Sequence, residues 1–343
     1  MQTGVQSILA SPLDDWYGLP SSDLAETVRG TADPPTTILR LQSFFGLSGT
    51  SSQIDQWEAL ATVASLDVAA ARMLEPHLDA LGILEEAGHL CPEPRSTWGV
   101  FAAEAPDSVV TISDEGGHPM LDGKKAWCSL AGELSHAVVI AHRGEARQTC
   151  AVSLDHPGVT HDGDHWPSVG LKEIPSGPIT LRRVPAEEIG TPGWYLERPS
   201  FAWGGIRVAA CWFGGALGMA RIAARQHFSR GRPAPMGNLA LGQLDAEIFA
   251  CRSAFAQAAE AADGDLGYSR AQSWKLALQV RNIVYRACQR IQLLSRELAG
   301  PASLTGDHVF AKADADLTVY LSQHHGPRDE ESLGIEILKA GRQ

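Results

Sequence analysis

Two adjacent histidines, His324 and His325, follow the apolar run DLTVYL near the end of the chain. An imidazole with its ordinary pKa near about 6.5 can accept a proton, donate a hydrogen bond or ligate a metal at neutral pH. Surface histidines, a metal pair and a general base are therefore all consistent with this dipeptide. The rest of the chain must distinguish between them.

A second candidate is the pair Trp127 and Ser129 in LDGKKAWCSLAGELSHAVVIAH, residues 121–142. The glycine turn and the apolar residues around it predict two strands, and residues two apart in a strand point to the same face. An indole beside a hydroxyl can cover a planar heteroaromatic ring and hydrogen-bond its edge. The alternative is a core tryptophan beside a satisfied serine, which the spacing alone favours.

Two further motifs have simpler structural explanations. The glycines of GGALG (214–218) lie inside a predicted helix and follow no strand, so they predict close helix packing rather than a phosphate-binding turn. HDGDH (161–165) has ligand-type side chains, but Asp-Gly between strands is ordinary turn chemistry. The sequence predicts no metal site.

Composition excludes several classes of protein. The 343 residues are 44% hydrophobic, enough for a large core, and the net charge of -12 argues against nucleic acid or an anionic membrane as partner. The six cysteines form no CxxC pair, and the N-terminus lacks the basic region of a signal peptide. The apolar stretch 208–220 is too short to span a bilayer. We expect a cytoplasmic protein.

The chain divides into three segments of an α+β multidomain protein. Helical spacing after residue 52 predicts an N-terminal helical domain, 1–97, whose first fifty residues show no clear pattern. Short β-rich runs predict a middle antiparallel β-barrel or sandwich domain, 98–199. Apolar steps of three and four then predict a C-terminal four-helix bundle domain, 200–343. The predicted strands are 109–113, 137–142, 149–154 and 179–184, and the predicted bundle helices are 202–228, 239–263, 270–299 and 307–325.

This order of segments, together with GKKAWCS at 123–129, resembles the acyl-CoA dehydrogenase flavoproteins. Their middle domain carries glycine-x-lysine-x-tryptophan-x-threonine or serine before an alanine-rich strand. The resemblance implies an acyl-CoA dehydrogenase-like fold with FAD bound between the subunits of a homodimer or homotetramer. It also implies oxidation of an acyl thioester, with electron-transfer flavoprotein or oxygen as acceptor. By position, Trp127 and Ser129 would contact the flavin.

The resemblance assigns cofactor-binding residues in the C-terminal segment as well. Arg232 and Gln243 match an arginine and a glutamine of the family, and a guanidinium suits a pyrophosphate; the alternative is a solvated loop arginine. The family's adenosine-side glutamine and double glycine map onto Glu297 and Gly300. Only one glycine remains there, and a carboxylate near phosphate is repulsive. FMN or a transient flavin is therefore an alternative to FAD.

The catalytic carboxylate of the family is replaced in this chain. Its usual position maps onto His324, and a second position, near 205–208, reads GIRV without an acid. The acyl-CoA-contacting stretch is shortened to AAEAPDS, 102–108. His324 would then be the replacement base of a dehydrogenase, or a hydrogen-bond donor in a two-component monooxygenase that uses reduced flavin and oxygen. The remaining alternatives are a non-catalytic scaffold and a helix-terminal histidine stabilised by the helix dipole.

Overall fold

The structure, a computed structural model, describes residues 9, 15–18, 20–29, 33–89, 93, 95–161, 166–231, 235–264 and 267–341. Its helices are α1 (Ser22–Arg29), α2 (Pro34–Phe45), α3 (Gln53–Ala64), α4 (Val68–Glu86), α5 (Trp194–Glu197), α6 (Phe201–Ser229), α7 (Pro235–Asp263), α8 (Arg270–Ala299), α9 (Pro301–Gly306), α10 (His308–Leu321) and α11 (Pro327–Ala340). Its strands are β1 (Trp98–Phe101), β2 (Val110–Glu115), β3 (His118–Lys125), β4 (His136–Arg143), β5 (Ala146–Ser153), β6 (Val159–His161), β7 (Ile179–Pro185) and β8 (Glu187–Ile189). Helices, sheet and helices follow in the predicted order, and the fold class is confirmed.

The helices of the N-terminal segment begin at polar caps. The side chain of Asp33 accepts a hydrogen bond from Thr36 at the start of α2, and Ser52 and Asp67 cap α3 and α4 in the same way. Such caps satisfy backbone N–H groups that have no partner within the helix. Both α1 and α2 fall in the first fifty residues, where apolar spacing alone had indicated nothing.

The middle segment is one eight-stranded sheet in the described part of the chain, with the order β6-β7-β3-β2-β4-β5-β8 and β1 beside β4. The sheet is mixed rather than wholly antiparallel, because β1 and β2 both run parallel to β4. Parallel neighbours need a long connection, and the β2–β3 hairpin provides it between β1 and β4. All four predicted strands are present.

The C-terminal segment contains the predicted bundle helices α6, α7, α8 and α10, followed by α11, which the sequence pattern did not predict. The helix α6 is long and apolar enough to cross a membrane by length and composition. However, 89% of its most apolar window is buried inside the protein, as expected for a core helix. One apolar core joins the three segments, with Trp57, Leu121 and Trp212 among its members. The boundaries after residues 97 and 199 stay predictions.

The glycines of α6 allow direct backbone contact with α3. A Cβ atom added at Gly214 would lie 2.2 Å from the carbonyl oxygen of Ala61, and one at Gly218 would lie 2.4 Å from that of Ser65. No side chain larger than hydrogen fits between these backbones without a shift. The close helix packing predicted from GGALG is confirmed.

Candidate functional site

Trp127 and Ser129 lie in a loop after β3 rather than in a strand. The strand ends at Lys125, and Trp127 has a φ angle of 59°, in the left-handed region. A left-handed residue interrupts the alternation of side chains along a strand. The prediction that both residues share one strand face is therefore wrong, because the backbone turns at Trp127 itself.

Hydrogen bonds hold this loop against the segment 175–177. The backbone N–H groups of Cys128 and Leu130 donate to the carbonyl oxygens of Gly177 and Pro175, at 3.0 and 2.8 Å. The hydroxyl oxygens of Ser129 and Ser176 lie 2.8 Å apart. These hydrogen bonds thus fix the loop on this segment, and Ser129 is half-buried.

The indole of Trp127 lies beside an open cleft of about 630 Å³. Its side chain is 62% exposed, whereas a core tryptophan is almost fully buried. Trp166 lies on the same cleft, together with Ser108, Lys124 and Ser176. We refer to this region as the Trp127 cleft. It combines two aromatic side chains with hydroxyl groups and one ammonium group.

The helix α10 positions one wall of the Trp127 cleft. The indole N–H of Trp166 donates to the carbonyl oxygen of Leu171, and the N–H of Leu171 donates to Oδ1 of Asp316 at 2.6 Å. Asp316 is buried, which raises its pKa although Lys312 lies 2.6 Å away and lowers it. The bundle therefore contacts the β domain directly beside the cleft.

A buried group of charged residues lies on the other side of Ser129. Its hydroxyl oxygen accepts a hydrogen bond from Nη2 of Arg72 at 3.1 Å, and Arg72 is 4.0 Å from the carboxylate of Glu75. On the next turn of α4, the carboxylate of Asp79 pairs with two further arginines. We call the whole group the arginine cluster; it comprises Arg72, Glu75, Asp79, Arg198, Arg207 and Arg281.

Several donors of the arginine cluster are buried without a hydrogen-bond partner among the described residues. They are Nη1 of Arg72, Nε and Nη1 of Arg198, and Nε of Arg207. The pKa of Glu75 is raised to about 7: burial is the main cause and Asp79 also raises it, while Arg72, Arg207 and Arg281 lower it. Residues 72, 75 and 79 recur at helical spacing in an otherwise apolar helix, and that signal was available in the sequence.

His324 is buried three residues after the end of α10 and does not line the Trp127 cleft. Its Nδ1 accepts a hydrogen bond from the N–H of Gly326 at 3.0 Å, so the proton is on Nε2, which donates to Oδ1 of Asn282 at 2.9 Å. Burial lowers its pKa, although Asp329 raises it. The neutral imidazole thus contacts only protein groups. The neighbouring His325 is exposed, with a side-chain exposure of 67%.

The other predicted site residues lie elsewhere on the bundle. Gln243 is half-buried on α7, and Gly300, with a φ angle of 83°, joins α8 to α9. Neither lines the Trp127 cleft within this chain. Arg232 lies outside the described residues, as do Asp162 to His165 of the HDGDH motif. Among the residues that the structure describes, no group of three or more histidine, cysteine or acidic residues could hold a metal ion.

This combination of helical segment, β domain with an aromatic cleft, and helical bundle defines the acyl-CoA dehydrogenase-like class of fold. Residues 101–184 match the family model of the acyl-CoA dehydrogenase middle domain. The resemblance found in the sequence is therefore confirmed for this segment, which is about a quarter of the chain. No curated protein matches the chain in sequence.

Solved structures show the same fold over nearly the whole chain. FMN-bound TdsC from Paenibacillus sp. A11-2 is 19% identical with a TM-score of 0.77, and the match covers 93% of this chain and 96% of that chain. The nitrososynthase from Micromonospora carbonacea var. africana is 18% identical with a TM-score of 0.73, covering 98% and 99%. KijD3 in complex with FMN and a dTDP-linked amino sugar is 19% identical with a TM-score of 0.73, covering 95% and 88%. At these identities the likeness concerns the fold.

Proposed function

We propose that this chain is a flavin-dependent oxidoreductase and that the Trp127 cleft holds the flavin ring. The observation that carries the proposal is the exposed indole of Trp127, which lies with Trp166 on a cleft of about 630 Å³. A large aromatic surface held open by a fixed loop is expected where a ligand covers it. This cleft lies within the segment that matches the acyl-CoA dehydrogenase middle domain.

The residues of the cleft fit a flavin. Trp127 and Trp166 offer apolar surface for the planar ring, the hydroxyl of Ser176 offers a hydrogen bond to its edge, and exposed Lys124 offers a cation for phosphate. Bound flavin would supply the redox chemistry, whereas the chain orients the ring and restricts water. The family resemblance predicts FAD. We favour FMN, because the exposed carboxylate of Glu297 repels a phosphate at the predicted adenosine side.

The oxygen-dependent reaction of a two-component monooxygenase is the better-supported type. A dehydrogenation needs a group that removes the α-proton. Both ring nitrogens of His324 are engaged by protein groups, and the second acid position, near residues 205–208, contains no acid. TdsC, whose fold this chain shares, is described as a dibenzothiophene monooxygenase. We propose a small-molecule substrate and a homodimer or homotetramer in which Arg232, Gln243 and Gly300 approach the neighbouring subunit's flavin.

Oxidation of an acyl thioester, with electron-transfer flavoprotein as acceptor, is the second candidate. Two observations favour it. The middle segment matches the acyl-CoA dehydrogenase domain, and the buried carboxyl of Glu75 lies 4.0 Å from Arg72, which contacts Ser129. Glu75 would then remove the α-proton in place of His324.

Flavin titration of the purified protein tests the shared part of both proposals. We expect FMN to quench tryptophan fluorescence, and Trp127→Ala and Ser129→Ala to weaken FMN binding about threefold to tenfold because they remove stacking and the loop's hydrogen bond. Tyr268→Ala, another exposed aromatic position, is the matched control. Unchanged affinity in both cleft variants would contradict the placement of the ring.

Two activity measurements then separate the reaction types. Oxygen consumption that requires supplied reduced flavin supports the monooxygenase. Anaerobic bleaching of bound flavin by an acyl-CoA supports the dehydrogenase instead. A protein that binds neither FMN nor FAD and is inactive in both assays corresponds to the scaffold alternative.

A further inference from the structure

We propose that the arginine cluster is the substrate-recognition site of this flavin enzyme and binds the carboxylate of a small organic acid. The inference rests on the proposed function, since it takes the Trp127 cleft as the flavin site. The cluster gathers side chains from α4, α6 and α8, together with Arg198 from the segment before α6. Three of its six members, Glu75, Arg198 and Arg207, are buried, and the side chains of the other three are 13–14% exposed.

Positive charge exceeds negative charge in and around the cluster. Its guanidinium groups, four in number, remain protonated at any ordinary pH. The facing carboxyls are Glu75, Asp79 and Asp329, and Glu75 is held partly protonated at neutral pH by its burial. The nearby polar groups on the other packed elements, Tyr195, Cys211 and Tyr320, are neutral because burial raises the pKa of each. One additional anion would balance this charge.

The ion pairs of the arginine cluster also leave several guanidinium N–H groups without a partner among the described residues. Asp79 uses one carboxylate oxygen for both Arg198 and Arg207, at 3.2 and 2.8 Å. Each of these arginines is only 2% exposed, so solvent does not reach the guanidinium N–H groups that have no protein partner among the described residues. Unpaired buried donors of a charged group are costly, and a planar carboxylate is the anion that matches a guanidinium fork. A purely structural role, in which the ion pairs hold α4 against α6, would explain the contacts of Asp79. It would not explain the unpaired N–H groups of the arginines.

The cluster is continuous with the Trp127 cleft. Arg72 donates to Ser129, and the hydroxyl of Ser129 contacts Ser176, which lines the cleft. The ring of Tyr320 lies beneath the guanidinium of Arg72, 5.8 Å from it, and provides apolar surface at the same point. An organic acid held at Arg72 would therefore lie next to the ring that the cleft holds. A cationic or neutral substrate would leave the excess positive charge in place.

Calorimetric titration with benzoate, with the neutral isostere benzamide as comparison, tests this inference on the wild-type protein. We expect benzoate to bind and benzamide to bind at least about tenfold more weakly, since one charge-assisted pair is lost. Benzoate binding should strengthen as the pH falls from about 8 to about 6, because protonation of Glu75 removes a competing negative charge. Glu75→Gln should abolish this pH dependence.

Variants separate the cluster from the rest of the surface. Arg207→Gln should weaken benzoate binding about tenfold or more, whereas Arg143→Gln, which removes an arginine of the β domain paired with Asp114 and Glu188, should not change it. If Arg207→Gln does not fold, the comparison of benzoate with benzamide and the pH dependence still decide. Equal binding of benzoate and benzamide, or tighter binding of inorganic phosphate than of benzoate, would overturn the inference.

Flavin binding tests the proposed function independently of benzoate binding. If FMN binds and depends on Trp127 but benzoate does not bind, this inference is wrong and the proposed function stands. If neither FMN nor FAD binds, the proposed function fails, and the substrate role assigned to the cluster fails with it.

Discussion

The imidazole of His324 stacks on the phenol ring of Tyr285, with ring centroids 3.9 Å apart and an angle of 8° between the planes. Together with its hydrogen bonds to Asn282 and Gly326, this stacking occupies one face and both nitrogens of the ring. His324→Ala should therefore lower the free energy of unfolding by about 2 to 4 kcal/mol, through lost stacking and two unpaired buried groups. Urea denaturation followed by circular dichroism measures it.

The neighbouring residue is the control for this prediction. His325→Ala removes an exposed imidazole and should change the free energy of unfolding by less than about 0.5 kcal/mol. Turnover of folded His324→Ala protein, with its flavin content intact, tests the catalytic role predicted from the sequence. Loss of turnover without loss of flavin would support that role, and full activity would exclude it.

A second prediction concerns the pH dependence of stability caused by Glu75. Its pKa rises from an ordinary value of 4.5 to about 7 in the folded protein, so the folded state binds more protons than the unfolded state between these values. The contribution of Glu75 to the free energy of unfolding should therefore fall across this window as the pH rises, by roughly 3 kcal/mol in total. Glu75→Gln should remove the loss and be more stable than the wild type at about pH 8. Urea curves across the pH range measure it.

The exposed position Glu260 on α7 offers a matched acid-to-amide control. Glu260→Gln should leave the pH profile of the unfolding free energy unchanged. The His77→Gln variant lacks the opposing contribution of His77. A free energy of unfolding that rises from about pH 5 to about pH 7 in this variant would contradict the assignment to Glu75.

His77 should give the opposite slope. Burial lowers its pKa from 6.5 to about 4, so the unfolded state binds more protons between these values. The contribution of His77 to the free energy of unfolding is fully present above about pH 6.5. It is lost as the pH falls toward about 4, again by roughly 3 kcal/mol. In the wild type the two slopes oppose each other where the windows overlap. His77→Gln should expose the slope of Glu75, and a variant with an unchanged profile would contradict this account.

The contact between α3 and α6 yields a prediction with a control of the same chemical change. Gly214→Ala places a methyl group 2.2 Å from the carbonyl oxygen of Ala61 and should cost about 1 to 3 kcal/mol of stability, because two helices must separate. Gly242→Ala, on α7, meets no atom within 4 Å and should gain up to about 1 kcal/mol from helix propensity. Melting temperatures of both variants check the signs. Equal shifts would show that the helices are not in backbone contact.

Regular periodicity was sufficient to predict most of the fold. The bundle helix predicted at 270–299 coincides with α8 (Arg270–Ala299). An apolar repeat with a period of 3.6 residues over that length is the pattern of an amphipathic α-helix. Strands such as β4 (His136–Arg143) were visible as short β-rich runs between turns. The direction of β1 was not predictable, since parallel pairing depends on which distant strand is its neighbour.

The candidate site was predicted only in part, for reasons specific to each residue. Trp127 was identified by type and position, but its left-handed φ angle depends on the hydrogen bonds to 175–177, a segment distant in sequence. Glu75 and Arg207 are on different helices, and only the tertiary fold brings them together. The family resemblance predicted His324 as a candidate base, whereas its hydrogen bond to Asn282 arises from the packing of α8.

The glycine contact between α3 and α6 has a mechanical consequence. Where two backbones touch with no intervening side chains, there are no rotamers that could absorb a displacement. Any shift of α6 on ligand entry must then carry α3 with it as one rigid unit, and α4 follows through the short connection after Ala64.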